Sequence, residues 1–324
     1  MEIKRSVYFD FIRGIAIIMV VFIHCFPSDY VCDYQLFFRQ ILNTAVPLFL
    51  ACSAFFIGKK HIDNRNKYVT FIKKQIPKIY IPMLFWSLPE FIWMIYSGSS
   101  IFKALSFWIL GGLSIYYFVF LIVQYYLLTP VFYYLQKSTP PMWIEFVISF
   151  TYIALLTYFG DWIGIPNLNI FRGGCFLLWI IFFSVGFYLS DKKRDYPMWP
   201  WLLGVIVGVI LSWIESKYLF ELKGLGTGIK PSAFFYSFSF IMLAFNNKVE
   251  RVFCENNIIV RFIGRVGFDS FAIYLIHNYI IGVYSRSFEN NSWFITGVIV
   301  FIITYGLILL KKRLFPFFKL VVGF

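Results

Sequence analysis

The sequence predicts an all-α, polytopic membrane protein, a helical bundle of about ten transmembrane helices with both termini in the cytoplasm. Of the 324 residues, 60% are hydrophobic and only 14% are charged, and the mean hydropathy is +0.74. Both values are far from those of a water-soluble globular protein. The formal net charge of +13 would suggest nucleic acid for a soluble protein, but basic cytoplasmic loops explain it better in a membrane protein. We therefore expect membrane lipids as partners and no nucleic acid.

Apolar runs of near-spanning length, separated by short polar segments, define the predicted spans. They lie at about 8–27, 36–58, 79–97, 115–136, 142–160, 170–190, 197–215, 231–247, 267–287 and 292–311. The stretch 98–113 is apolar but short and contains Gly111 and Gly112, which favours a re-entrant or interfacial helix on the outer side. We expect a single domain over 1–324, with no appended soluble domain.

Lysines and arginines give the orientation. With a cytoplasmic N-terminus, the inner segments contain 21 of the 29 basic residues. The outer loops contain four, which are Lys103, Lys217, Lys223 and Lys230. Arg39 and Arg172 lie near the outer edge of their spans, where we expect them to snorkel to the interface. The positive-inside rule thus predicts two cytoplasmic termini, and we expect a multi-pass protein of the plasma (inner) membrane.

The first predicted helix carries ionisable residues within an apolar run. At about 100° per residue, one side of this helix carries a stripe formed by Asp10, Arg13, Gly14, Ile17, Val21 and His24. Arg13 and His24 are three turns apart, or roughly 16 Å along the axis. Because an ionisable side chain facing lipid is costly, the stripe should face protein or water.

Three further polar residues are predicted at the depth of His24. Glu90, Gln124 and His277 each lie twelve or thirteen residues from a basic residue at the inner edge of their own helix. The four side chains can therefore share one layer, as a membrane-embedded active site requires. Below that layer, the inner face carries a basic set formed by Arg13, Lys73, Lys74, Lys78 and Arg265. This set suits a phosphate-rich ligand that enters from the cytoplasm.

Four segments in order resemble the acyltransferase-3 family of integral membrane acyltransferases. The family's opening, with Asp-x-x-Arg-Gly before a histidine, is similar to residues 8–24. Its second-helix motif resembles 45–53, although Ala54 stands where glycine is usual. Its later motifs resemble residues 116–130 and 270–277. Residues 270–277 read Ser-Phe-Ala-Ile-Tyr-Leu-Ile-His. The resemblance implies an O-acyltransferase that modifies polysaccharides or other components of the cell envelope.

The resemblance also implies the substrates. The donor is an acyl-CoA, with acetyl-CoA expected, and the acceptor is a hydroxyl of a cell-surface glycan or lipid-linked sugar. Arg13, Lys73, Lys74, Lys78 and Arg265 would hold the donor phosphates while the pantetheine arm rises along the stripe. The family usually has Arg-x-x-Arg in this loop, but Gln75 and Lys78 occupy those places here, so bidentate geometry is lost.

We infer that His24 is the general base, because neutral imidazole accepts protons near pH 7. Glu90 is expected to orient His24, and Asp10, Gln124 and His277 to support the site. No Gly-x-Ser-x-Gly nucleophile motif occurs. The five cysteines include no Cys-x-x-Cys, and we expect no metal.

Simpler interpretations stand beside these roles. His24 and His277 can be structural, Asp10 and Arg13 can form a local i,i+3 ion pair, and the lysines can be ordinary positive-inside residues. Cys25 and Cys32 can form an outer disulfide or remain thiols. A secondary transporter, a lipid-linked glycan exporter or an acyl-exporting channel would also use buried charges, although we find no paired hydropathy halves.

Overall fold

The computed structural model describes residues 6–27, 32–62, 64–137, 142–164, 172–224, 226–253, 257–288, 292–314, 317 and 319–323. Within these ranges the fold is helical and contains no strand. The helices are α1 Val7–Cys25, α2 Asp33–Leu42, α3 Ala45–Gly58, α4 Arg65–Tyr96, α5 Ile101–Ile109, α6 Tyr117–Lys137, α7 Met142–Ala154, α8 Phe176–Leu189, α9 Trp199–Lys223, α10 Pro231–Ala244, α11 Asn247–Val252, α12 Ile258–Phe268, α13 Ser270–Ser287, α14 Trp293–Leu314 and α15 Lys319–Val322. A π-helical turn, Leu155–Phe159, continues α7.

Seven helical stretches of the described chain are long and apolar enough to cross a membrane. They are Val7–Cys25, Asp33–Gly58, Arg65–Tyr96, Tyr117–Leu135, Met142–Phe159, Trp199–Lys223 and Trp293–Leu314. Helices α8 and α10 are also apolar but have 14 residues each, and α13 has 18 residues that include His277 and Arg286. Each predicted span thus contains a helix, and the prediction of an all-α membrane protein is confirmed. The count of ten and the cytoplasmic termini stay predictions.

The stretch predicted as re-entrant or interfacial contains α5, which has nine residues. At 1.5 Å per residue, nine residues extend about 14 Å, too little to span a bilayer. Gly111 follows with a φ of +65°, a conformation that glycine adopts without steric cost.

The described helices group into two compact units. The first contains residues 1–59 and 182–306, and the second contains 60–181 and 307–324. The expectation of a single domain stays a prediction.

The first unit is centred on α1, which packs against α3, α12 and α13. Helix α12 lies closest, because glycines let the two backbones meet. A Cβ added at Gly267 would collide with the carbonyl oxygen of Asp10 and lie 2.6 Å from the nitrogen of Gly14. A Cβ added at Gly14 would collide with the carbonyl oxygen of Ile263. This close approach fixes where α13 begins relative to α1, because Ser270 follows Gly267 by three residues.

Arg194 packs against aromatic rings of α1 and α3 in the first unit. The rings of Phe9 and Phe55 stack with centroids 4.3 Å apart, and the Arg194 guanidinium carbon lies 5.4 Å and 5.1 Å from their centroids. Arg194 Nη1 donates to the carbonyl oxygen of Phe245 at 3.0 Å, and Nη2 donates to Glu250 Oε2 at 2.7 Å. These contacts tie α1 and α3 to the end of α10 and to α11.

In the second unit, α4 packs against α5, α6 and α15. Two carbonyl oxygens of α4 accept hydrogen bonds from side chains. Trp108 Nε1 donates to the carbonyl oxygen of Leu84 at 3.1 Å, and the Tyr116 hydroxyl donates to the carbonyl oxygen of Trp86 at 3.2 Å. Trp86 Nε1 in turn donates to the carbonyl oxygen of Val322 in α15 at 3.0 Å. These contacts hold α4 at Leu84 and Trp86, in the half of the helix that follows its basic residues.

We predict that Gly267→Ala lowers the unfolding temperature of the detergent-solubilised protein, because the added Cβ forces the α1 and α12 backbones apart. The expected cost is about 1–3 kcal/mol. Gly282→Ala in α13 is the control, since no heavy atom of the described residues outside the helix lies within 4 Å of its added Cβ. Intrinsic fluorescence during heating measures both variants, and equal melting curves for the two would contradict the close packing.

Candidate active site

Two of the predicted site residues meet in the first unit. His24 lies in the last turn of α1 and His277 in the middle of α13. Their ring centroids are 5.2 Å apart with an angle of 49° between the planes. Many protein atoms lie near the His24 ring. His277 is buried, whereas His24 is nevertheless accessible from outside the protein. A ligand can therefore reach the His24 ring directly.

The hydrogen bonds of His277 define its neutral tautomer. Nδ1 lies 3.0 Å from the carbonyl oxygen of Ile273 and 2.9 Å from that of Tyr274. Because carbonyl oxygens only accept, Nδ1 carries the hydrogen and donates it. The other nitrogen, Nε2, is then an acceptor, and it is buried without a hydrogen-bond partner in the described part of the chain. This nitrogen can accept a hydrogen bond from a group placed beside it.

Arg13 lies at the other end of the stripe. Its Nη2 donates to Ser270 Oγ at 3.0 Å, and its Nη1 lies 3.9 Å from Asp10 Oδ1. The local ion pair considered from the sequence is thus present, but the side chain remains 32% exposed. Since Ser270 and His277 both belong to α13, that helix contacts α1 at both polar ends of the stripe.

The part of the stripe between these ends is packed. Ile17 and Val21 are each 0% exposed, and Gly14 is covered by Ile263. The expectation that the pantetheine arm rises along this face of α1 is therefore wrong for this structure, because the face leaves no open path.

Glu90 and Gln124 belong to the second unit. The Glu90 carboxyl group is hydrogen-bonded to the Ser114 side chain. Gln124 Nε2 donates to the carbonyl oxygen of Gly174 at 2.6 Å, and its Oε1 accepts from the backbone nitrogen of Phe176 at 3.3 Å. The Gln124 amide thus holds the start of α8, which gives it a structural role. The common layer of these residues with His24 and His277 stays a prediction.

The predicted basic residues divide between the units. Lys73, Lys74 and Lys78 are exposed on α4 in the second unit, and Arg265 is exposed on α12 in the first. Lys60 joins this group although it is absent from the predicted set: burial and the neighbouring charges of Lys74 and Lys78 lower its pKa. The positive charges of Lys60, Lys74 and Lys78 therefore lie close enough to affect one another, and their role in binding an anion stays a prediction.

Two basic residues placed at the outer edge are not where the sequence suggests. Arg39, expected to snorkel, is 6% exposed, and Lys230, expected in an outer loop, is 0% exposed. Both side chains find polar partners within the first unit, on α2 and the segment before α10. Arg172 does reach the surface, where its Nη2 lies 3.4 Å from Asp161 Oδ1.

Metal ligands and cysteines complete the inventory of reactive groups. The described residues contain no group of three His, Cys, Asp or Glu side chains that could hold a metal ion. Cys25 and Cys32, whose pairing the sequence left open, carry free thiols.

Comparison with known proteins gives two findings. A family model described as "Acyltransferase domain" matches residues 6–312. A Bacillus subtilis (strain 168) protein, YfiQ, assigned as a membrane-bound acyltransferase, is 24% identical over 260 residues, which cover 75% of this chain and 69% of the relative. No solved structure matches this chain.

Proposed function

Since the chain belongs to the acyltransferase-3 family of membrane acyltransferases, we propose that it transfers an acyl group, acetyl foremost, from cytoplasmic acyl-CoA to a hydroxyl group. The proposed acceptor is a cell-surface glycan or a lipid-linked sugar, and the proposed location is the plasma membrane. Membership confirms the resemblance carried by the four sequence segments. It also establishes the coarser activity, that of a multi-pass membrane acyltransferase.

In the proposed reaction, the acceptor oxygen attacks the thioester carbonyl carbon while His24 removes the hydroxyl proton. The carbon–oxygen bond of the ester forms and the carbon–sulfur bond breaks. His24 then gives the proton to the departing thiolate, so that the products are the ester and free coenzyme A. A single imidazole can serve both transfers because its neutral form accepts a proton and its protonated form returns it.

The observation that carries this proposal is the exposed His24 ring beside the buried His277 ring, 5.2 Å between centroids. His277 Nε2 is an acceptor without a partner in the described residues, so it is suited to orient a His24 N–H or the imidazolium that forms during transfer. We assign His277 as a positioning residue. Glu90 remains a second proposed orienting group, with Asp10 and Gln124 in support.

The negative charge of the proposed acyl donor, acyl-CoA, supports the assignment of the lysines to donor binding. Coenzyme A carries several phosphate charges, and Lys60, Lys74 and Lys78 form a repelling cluster that such a ligand would neutralise. Lys73, which is exposed on the same helix, adds to the proposed phosphate site. Arg13 and Arg265 are the proposed contributors from the first unit, although Arg13 already lies beside Asp10.

We predict that His24→Asn reduces the release of free coenzyme A from acetyl-CoA at least about 100-fold, because general base catalysis is lost. Thiol titration of the purified protein with a glycan acceptor measures this release. His61→Asn is the matched control, since His61 has a φ of +46°, which asparagine tolerates. Thiol release that survives in His24→Asn would contradict the role of His24, and acyl or glycan transport without thioester cleavage would favour a transporter.

We predict that Lys74→Glu combined with Lys78→Glu raises the donor KM about tenfold, equivalent to about 1.4 kcal/mol, and leaves the acceptor KM unchanged. Reversed charges repel the donor phosphates, and the effect should shrink as salt screens it. Lys103→Glu, which also changes an exposed lysine of the second unit, is the control. An unchanged donor KM in the double variant would refute the lysine site.

A further inference from the structure

Arg39 is a buried cation without a counter-ion in the described residues. It lies in α2, within an apolar stretch long enough to cross the membrane, and is 6% exposed. Its Nη1 donates to Asn43 Oδ1 at 2.6 Å, which is a neutral acceptor. Its Nε is buried without any hydrogen-bond partner in the part of the chain that the structure describes. One donor of the guanidinium fork is therefore unused.

Arg39 is close to the proposed base. The guanidinium carbon lies 5.9 Å from the centroid of the Phe26 ring, and Phe26 follows His24 by two residues. Arg39 is also within electrostatic range of the His24 ring. Phe26 is partly exposed, so its ring lies between the protein surface and the neighbourhood of the guanidinium.

A second buried cation adds to the positive charge. Lys230 Nζ donates to Gln40 Oε1 at 2.5 Å and to the carbonyl oxygens of Gly226 and Gly228 at 2.9 and 3.2 Å. Burial lowers the pKa of Lys230 to about 7, Glu215 opposes this shift, and Arg39 adds to it. All three acceptors of Lys230 are neutral. The three N–H donors of Lys230 are nevertheless all used in these hydrogen bonds. Of the two buried cations, Arg39 is therefore the one with an unused N–H donor among the described residues.

Glu215 is occupied by other groups. Its Oε2 accepts a hydrogen bond from the backbone nitrogen of Ser232 at 3.0 Å and another from the Ser232 hydroxyl. Glu215 thus influences Lys230, whereas Arg39 forms no ion pair with a described residue. A buried charge without compensation destabilises the fold, and such residues within membrane segments mark ligand pathways.

We propose that Arg39 binds an anionic group, a carboxylate or a phosphate, on the acceptor substrate, and so holds the acceptor hydroxyl beside His24. A guanidinium binds either group through paired N–H donors. This inference rests on the proposed function for the role of the hydroxyl, but anion binding itself does not require the transfer reaction. The acceptor class is accordingly an acidic or phosphorylated sugar.

Binding is tested without the acyl donor. The full-length protein in detergent is heated with glucuronate, glucose 1-phosphate, glucose or inorganic phosphate, and intrinsic fluorescence gives the unfolding temperature. We expect stabilisation by glucuronate and glucose 1-phosphate but not by glucose. Arg39→Met should abolish this stabilisation, and Arg39→Lys should weaken it. Lys217→Gln, which removes an exposed ion pair with Asp33, should retain it.

The unliganded variants give a second readout. Arg39→Met removes an uncompensated buried charge and keeps a long side chain, so we expect its unfolding temperature to rise by about 2 °C or more. A binding residue that costs stability behaves in this way. A fall in the unfolding temperature would show that Arg39 serves the fold and would overturn the proposal.

Three other results would also overturn it. The first is stabilisation by the anionic sugars that Arg39→Met retains. The second is full stabilisation by inorganic phosphate with none by glucuronate, which assigns the site to free phosphate. The third is a fall in kcat of Arg39→Met that is equal for neutral and anionic acceptors with binding unchanged, which assigns Arg39 to the transition-state oxyanion. Arg39-dependent binding without any thiol release from acetyl-CoA would support the anion site and count against the acyltransferase reaction.

Discussion

The backbone contact between α1 and α12 is the constraint on which the geometry of the first unit depends. Gly14 and Gly267 have no side chains to separate the two helices, and Asp10 and Ile263 occupy the space that a Cβ would need. Because α13 starts immediately after α12, this contact decides which residues of α13 face α1. Ser270 then meets Arg13, and His277 meets His24.

The polar residues of the first unit follow the energetics of an apolar environment. Arg13, Lys230 and His277 each use hydrogen bonds to neutral oxygens, which reduces the cost of removing them from water. His24 is exposed, and Arg39 Nε has no hydrogen-bond partner among the described residues. The least satisfied groups of a membrane protein are where substrate interactions are expected.

The sequence predicts the helical membrane fold well, because hydropathy records which segments avoid water. It also predicts that the ionisable residues of α1 meet polar partners, since the alternative is lipid. It does not reveal α12, whose 11 residues are amphipathic and basic and resemble a cytoplasmic loop in composition. The burial of Arg39 and Lys230 and the packing of Ile17 and Val21 depend on which helices become neighbours, and charge counts along the chain carry no such information.

The account depends most on the placement of the thioester beside His24. The direct measurement is a structure, by electron cryo-microscopy, of the full-length protein with a coenzyme A thioether that carries the acetyl carbonyl but cannot be cleaved. We expect the carbonyl carbon within about 4 Å of the space where a hydroxyl bonded to His24 would lie. A carbonyl group far from His24, with the imidazole in contact only with protein, would contradict the account.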